Sequence, residues 1–201
     1  FCYIRALPRD NPYLSDSYWQ QLNSLPTEMR RAVLEGEWDV FAGQVFTEWR
    51  TNLHVCQPFA IPPNWTRWLA VDYGYVAPFC ALWFARSPDK ANIYIYRESY
   101  QKGWRAQQQA KQIKGASRGE RIELYAADPS MWQHREGVAG DTLAGEYLRE
   151  GIHLSQANND RMAGLAYVRE ALNWKALPSG RVMKEPRLQV FSTCRNLIRT
   201  L

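Results

Sequence analysis

The feature that most constrains the fold of this chain is a row of apolar residues that runs directly into an aspartate. Residues 68–75 read WLAVDYGY, so that Asp72 follows four apolar residues and precedes Gly74. A run of this kind is typical of a central strand that is buried on both faces. Because burying a charge in such a strand is unfavourable, we expect Asp72 at the strand tip to have a polar task.

The same pattern recurs later in the chain. Residues 122–129 read IELYAADP, an apolar strand that ends at Asp128, and residues 93–98 form a weaker third case that ends at Glu98. If these strands lie side by side, their carboxylates meet at one sheet edge, where a hard divalent cation could bind. Each acid also has a structural interpretation: Asp72 could bond a loop, Asp128 could start a turn, and Glu98 could pair with an arginine.

The order of the predicted elements indicates a mixed α/β sheet flanked by helices. Three closely spaced strands end near 72, 86 and 99, and their short connections favour antiparallel pairing. Helical and strand patterns then alternate, with helices at 104–114 and 141–150, strands at 121–127 and 152–154, a helix after Asp160, a strand at 188–191 and a helix from Cys194. This order predicts the ribonuclease-H-like fold, in which the first and fourth strands are parallel neighbours. Asp72 and Asp128 would then lie side by side.

The first part of the chain differs from the rest. Residues 1–44 contain proline turns and two short predicted helices, near 15–22 and 27–34, with too little apolar surface to fold alone. We interpret them as the linker or tail of a preceding region. Residues 45–201 are expected to form the main domain, beginning with an outer strand at 45–49.

Composition excludes several classes of protein. The four cysteines lack metal-ligand spacing, which argues against a zinc site. The longest apolar run, residues 77–85, is too short to cross a bilayer, and no membrane partner is expected. The net charge of +5 mildly favours an anionic partner such as nucleic acid.

Several short motifs, taken in order, resemble the nuclease domain of tailed-phage terminase large subunits. They are AVDYG at 70–74, AADPS at 126–130, GEW at 36–38, ESY at 98–100, NDR at 159–161 and NLI at 196–198. The resemblance spans most of the chain, and residues 1–44 resemble the end of the ATPase region that precedes the nuclease in that family.

The resemblance implies a function. Such proteins move DNA into a procapsid by ATP hydrolysis and cut concatemeric double-stranded DNA with this second domain. The first family acid corresponds to Asp72 and the second to Asp128. The resemblance implies that these acids bind two divalent ions, either Mg²⁺ or Mn²⁺. A third acid follows the NLI segment, so we expect a domain that continues beyond Leu201 and, without that acid, binds metal weakly. The implied partners are double-stranded DNA, the upstream ATPase domain, the small terminase subunit and the capsid portal, in the host cytoplasm. No GxxxxGK[ST] loop is present, and ATPase activity is not expected from these residues.

The chemistry of phosphodiester hydrolysis agrees with this set of residues. Two divalent ions can activate water and neutralise the leaving oxygen, and Mg²⁺ prefers carboxylate ligands. We expect Asp72 and Asp128 to be catalytic metal ligands and Glu98 to be a candidate accessory ligand. Basic side chains must offset the repulsion between the acids and the DNA backbone. The candidates are Lys102, Arg105, Arg118, Arg121, Arg135 and Arg161. No arrangement suited to reading bases is visible, so cutting should have little sequence specificity.

Two other functions remain open at this stage. One is a non-catalytic DNA-binding or docking module of the same fold, which the missing third acid favours. The other is a nuclease of the resolvase or transposase type, because the fold alone does not assign a function.

Overall fold

The computed structural model describes residues 8, 11, 13–15, 18–20, 45–89, 91–134, 142–177, 179 and 182–201. The chain forms two compact units, residues 1–47 and residues 48–201. In the first unit, the backbone amide of Asn11 donates to the Pro8 carbonyl at 3.1 Å, which forms a turn, and residues 18–20 are helical. The helix predicted near 27–34 lies outside the described residues.

The second unit is built on a seven-stranded mixed sheet with the order β1-β9-β4-β3-β2-β5-β6, and a separate two-stranded hairpin joins β7 to β8. The strands are β1 (Val55–Cys56), β2 (Thr66–Asp72), β3 (Phe79–Arg86), β4 (Ile93–Gln101), β5 (Leu124–Ala127), β6 (Ser155–Gln156), β7 (Lys175–Ala176), β8 (Val182–Lys184) and β9 (Leu188–Phe191). This architecture confirms the predicted α/β fold of the ribonuclease-H-like class.

The central strand β2 has neighbours on both sides. It pairs antiparallel with β3, so that Asp72 lies opposite Cys80, and parallel with β5, so that Val71 lies opposite Ala127. Strands β3 and β4 are antiparallel, and β4 continues into a parallel pair with β9. The first and fourth predicted strands are therefore parallel neighbours, as expected from the order of elements.

Among the described residues, five helices accompany the sheet. They are α1 (Thr51–His54), α2 (Ala106–Ala116), α3 (Leu143–Arg149), α4 (Arg161–Leu172) and α5 (Arg195–Thr200), and a 3₁₀ turn covers Pro129–Trp132. Helix α2 forms because small and apolar residues recur at helical spacing, and its buried stripe is Ala106, Gln109, Ala110 and Ile113. Its end is joined to the sheet core through the indole of Trp83, which donates to the Ser117 hydroxyl at 2.9 Å. Because Trp83, Leu69 and Phe79 are fully buried, they form the centre of the core.

Several predicted elements need correction. Residues 45–49 form a turn and irregular chain instead of an outer strand. The predicted strand at 152–154 is displaced to Ser155–Gln156, and the strand that ends at Ala127 begins at Leu124 instead of residue 121. The helix predicted over 141–150 is observed at Leu143–Arg149, and its start is capped by the Thr142 hydroxyl, which accepts from the Gly145 amide. These errors fall at short or edge elements, where local propensity is weakest.

The helix predicted after Asp160 is confirmed as α4. The Asp160 carboxylate accepts from the Ala163 amide at 3.0 Å, which satisfies one of the free N–H groups at the helix start. Within the described part of the chain, no helix has both the length and the apolar character needed to cross a membrane.

Candidate metal centre

Asp72 and Asp128 lie beside each other at the ends of two parallel strands. The register pairs Val71 with Ala127, the last residue of β5, and the backbone of Asp128 is still extended with φ −60° and ψ 136°. Asp72 and Asp128 come directly after this last pair, and the charge of Asp128 acts on Asp72, so the two carboxyl groups lie near each other. Neighbouring strands are about 4.8 Å apart, a spacing that lets two carboxylates share divalent ions with ligand distances of about 2.0–2.1 Å.

The two carboxyl groups have different electrostatic environments. Partial desolvation at the sheet end raises the pKa of Asp72, although the residue is still exposed to solvent, and the nearby charge of Asp128 raises it further. The pKa of Asp128 is lowered because its carboxylate accepts hydrogen bonds from Ser130, including one from the backbone amide at 2.8 Å. Asp128 is thus held as an anion in a fixed orientation, and Asp72 bears the repulsion between the two. A cation between them would relieve that repulsion.

Glu98 is not brought to this pair. It lies on β4, two strands away from Asp72 with β3 between them, a sideways separation of about 9–10 Å. Both of its oxygens are engaged by the start of α5: one accepts from the amide of Asn196 at 2.8 Å and from its side chain, and the other from the amide of Leu197 at 2.9 Å. The contacts of Glu98 are those of a residue that anchors α5 and not of a third ligand beside Asp72.

Cys80 is on β3, the strand between β2, which carries Asp72, and β4, which carries Glu98. Burial, followed by the charges of Glu98 and Asp72, raises the pKa of its thiol to about 11. The group is therefore neutral near pH 7 and supplies no thiolate ligand. Among the described residues, no three His, Cys, Asp or Glu side chains come together as a metal-binding group. The donors that fit Mg²⁺ or Mn²⁺ here are the two carboxylates, whose hard oxygens suit these ions.

The loop after Asp72 is tightly constrained. A Cβ at Gly74 would lie 2.4 Å from the Ala77 carbonyl oxygen and 2.5 Å from that of Pro78, so only glycine lets the chain fold back this closely. The fully buried Gln109 of α2 donates to the Gly74 carbonyl at 2.8 Å and to the Trp104 carbonyl at 2.6 Å. Its amide oxygen accepts from the Tyr147 hydroxyl of α3 at 2.7 Å.

The sequence interpretation did not include Gln109 as a positioning residue. The signal was present, however, because Gln109 falls within the helical stripe that also contains Ala106, Ala110 and Ile113. A polar side chain in an apolar stripe must find buried partners, and here the partners fix the loop that follows the candidate ligand Asp72.

The candidate DNA-binding residues separate by sheet edge. The name acid edge is used below for the side of the sheet at which the strands β2, β4, β5 and β6 end. Lys102 follows β4, Arg105 precedes α2, and Arg161 is the first residue of α4, the helix that follows β6, so all three lie at the acid edge. Arg118 and Arg121 lie between the end of α2 and the start of β5, at the opposite edge. The structure therefore does not bring those two to the acids, and Arg135 lies outside the described residues.

The structure resembles solved large terminase structures. It matches the large terminase nuclease domain of phage P22 with a TM-score of 0.57 and 22% identity, over 79% of this chain and 77% of that domain. It matches the large terminase of a thermophilic bacteriophage with a TM-score of 0.60 and 17% identity, over 96% of this chain and 45% of that protein. A structure of the same thermophilic phage protein in complex with ADP gives 0.59 and 18%, with 95% and 44% covered.

The chain thus spans most of the P22 nuclease domain and less than half of the thermophilic phage protein. No protein-family model matches the sequence, and no curated protein is similar to it. The resemblance indicated by the motifs is confirmed at the level of the fold, which is the ribonuclease-H-like fold of phage large terminase nuclease domains.

Proposed function

We propose that this chain is the metal-dependent endonuclease domain of a viral DNA-packaging terminase. The observation that carries the proposal is that Asp72 and Asp128 come directly after the last paired residues of the adjacent parallel strands β2 and β5. The charge of Asp128 acts on Asp72, which supports a shared site for a cation. The likeness in fold to the P22 nuclease domain supports the same class of reaction.

In the proposed reaction, the residues of the chain have separate roles. Asp72 would hold both divalent ions, and Asp128, oriented by Ser130, would hold one of them. Divalent ions held by these two carboxylates would supply an activated water and neutralise charge on the leaving oxygen. Gln109 keeps the Asp72 loop in place through the Gly74 carbonyl, so that Asp72 is positioned before substrate arrives.

In this role the substrate is double-stranded DNA, which is cut with little sequence specificity. Lys102, Arg105 and Arg161 are available at the acid edge for the phosphate backbone, where positive charge offsets the repulsion from the acids. The partners we propose with this role are an ATPase domain on the same protein, the small terminase subunit and the capsid portal, in the host cytoplasm.

The test is cleavage of supercoiled plasmid in Mn²⁺ or Mg²⁺ over a long incubation. We expect nicked and linear products with either metal, none in EDTA, and a large loss with Asp72→Asn or Asp128→Asn. Asp89→Asn is the matched control, because Asp89 accepts from the Ala91 amide in the β3–β4 turn at the opposite edge. Substantial cutting by Asp72→Asn would overturn the assignment.

The second candidate is a DNA-binding module that performs no chemistry. It is favoured by one observation, that the described residues bring only two carboxylates together and no third metal-binding group. If it is correct, the chain binds DNA with the same affinity with and without metal, and Asp72→Asn strengthens binding by removing a negative charge.

A further inference from the structure

We propose that a cavity next to Asp72 binds one unpaired nucleotide of a DNA strand. The cavity has a volume of about 470 Å³ and is lined by Tyr73, Tyr75, Arg105, Ala106 and Glu146. This volume is within the range of about 300–1,000 Å³ that is usual for small-molecule sites. The inference rests on the proposed function, because it gives the nuclease a place for a strand end that has left the duplex.

The walls of the cavity are held by hydrogen bonds of the backbone. The Tyr75 carbonyl accepts from the Gly103 amide at 2.9 Å, which ties the loop after β2 to the connection before α2. Gln109 joins the same two segments through the Gly74 and Trp104 carbonyls. The backbone on which Tyr75 and Arg105 stand is therefore fixed before a ligand binds, which lowers the entropy loss on binding.

The lining combines three chemical features. Tyr75 has 47% of its surface exposed and offers an aromatic ring, and bases stack on such rings regardless of sequence. Arg105 is exposed and adjoins Ala106, the first residue of the 11-residue helix α2, whose N-terminal end favours anions. Glu146 on α3 adds a carboxylate to the lining.

The presence of Glu146 selects among ligands. A ligand that is anionic over its whole surface, such as free phosphate, is repelled by this carboxylate, and a purely apolar ligand leaves Arg105 unused. A nucleotide has a phosphate for Arg105, a flat base for Tyr75, and base edges that can donate to a carboxylate. Because Tyr73 follows Asp72 directly, a strand with one nucleotide in the cavity passes close to the acid pair.

The experiment measures binding by fluorescence anisotropy in EDTA, where no cutting occurs. The probe is a fluorescein-labelled oligothymidylate of about 12 nucleotides, with a blunt duplex of the same length as comparison. Tyr75→Ala is expected to weaken single-strand binding roughly 5- to 100-fold, as for loss of one stacked base, and duplex binding less than about 2-fold. Tyr75→Phe retains the ring and should bind like the original chain.

Two further variants sharpen the result. Arg105→Gln should lower the slope of log affinity against log salt by about 0.7 for the single strand, as for loss of one phosphate contact. Tyr167→Ala is the matched control, because Tyr167 is a 72% exposed tyrosine of α4 outside the cavity lining and its loss should change nothing. Circular dichroism melts confirm that each variant is folded.

The outcomes separate this inference from the proposed nuclease function. Equal single-strand affinity for Tyr75→Ala and the original chain, an equal loss on single-strand and duplex probes, or a loss in Tyr75→Phe as large as in Tyr75→Ala would each overturn the cavity assignment. None of these results bears on metal-dependent cutting, which the plasmid assay tests independently. If Tyr75→Ala weakens single-strand binding but the original chain does not cut plasmid, the cavity assignment stands and the nuclease function is refuted.

Discussion

Asp72 is an acid whose surroundings disfavour its charge. It ends a strand with a buried neighbour, Val71, and it lies beside Asp128, so burial and like charge both raise its pKa. An arrangement that destabilises the free protein in this way is common at functional sites, where a ligand removes the penalty. For Asp72, that ligand is the cation that we propose.

The raised pKa of Asp72 predicts the effect of Asp72→Asn on stability. A carboxyl whose pKa is raised in the folded state contributes stability below its unfolded pKa, and that contribution is lost as pH rises through the folded pKa. The melting temperature of Asp72→Asn without metal should therefore equal or exceed that of the original chain at pH 7, and the difference should shrink towards pH 4. Melts by circular dichroism at both pH values check this, and a clear loss of stability at pH 7 would contradict it.

Gln109 is the residue whose hydrogen bonds most directly hold the loop after Asp72. Replacing it by leucine leaves the Tyr147 hydroxyl and the Gly74 carbonyl without their partner in a buried region. We expect Gln109→Leu to lower the free energy of unfolding by about 2–4 kcal/mol, measured by urea denaturation. Gln112→Leu on the same helix is the control, because Gln112 is exposed and its replacement should change stability by less than about 0.5 kcal/mol. Equal effects of the two variants would show that the buried network contributes nothing.

At the scale of elements, Glu98 connects β4 to α5. Its carboxylate accepts hydrogen bonds from the backbone amides of Asn196 and Leu197 and from the side-chain amide of Asn196. These donors lie at the start of α5, where a negative charge is favourable. Helix α5 has six residues and none of them is fully buried, so this contact has a large part in fixing it to the sheet.

The predicted consequence concerns α5 and not the metal. Glu98→Ala should lower the free energy of unfolding by about 1–3 kcal/mol and speed hydrogen exchange at the amides of Asn196 and Leu197. Glu98→Gln keeps one acceptor oxygen and should show a smaller effect of the same kind. Metal affinity should be unchanged in both variants. A loss of metal binding with normal exchange at α5 would instead restore Glu98 as a ligand.

The central strands β2, β3 and β4 were predictable from sequence because they are long and largely apolar. Strand β3 and strand β9 have the predicted bounds, and the pairing of β2 with β5 follows from the order of elements. The position of the carboxylate pair at one edge could be derived for the same reason. The two-residue strands β1, β6 and β7 were missed or misplaced, because two residues carry no periodicity. The partners of Gln109 and Glu98 depend on long-range packing that no local pattern specifies.

At the scale of the molecule, the candidate DNA-binding residues lie at both ends of the sheet. The net charge of +5 is modest, so DNA binding should be weak, non-specific in sequence and strongly dependent on salt. Topology assigns Lys102, Arg105 and Arg161 to connections at the acid edge, and Arg118 and Arg121 to the opposite edge.

This division predicts which arginines and lysines contact duplex DNA. Lys102→Gln and Arg161→Gln should each weaken binding and reduce the slope of log affinity against log salt by about 0.9, whereas Arg118→Gln and Arg121→Gln should have little effect. Gel-shift titrations at two salt concentrations measure this. Equal losses for residues of both edges, or a clear preference for one duplex sequence, would contradict the account.

The central claim is that Asp72 and Asp128 form one divalent-metal site, and calorimetric titration with Mn²⁺ tests it most directly. The original chain and Asp89→Asn should give the same binding heat. Asp72→Asn and Asp128→Asn should each remove most of it, since both carboxylates ligate the same ions. Mn²⁺ affinity in Asp72→Asn or Asp128→Asn equal to that of the original chain would contradict the claim.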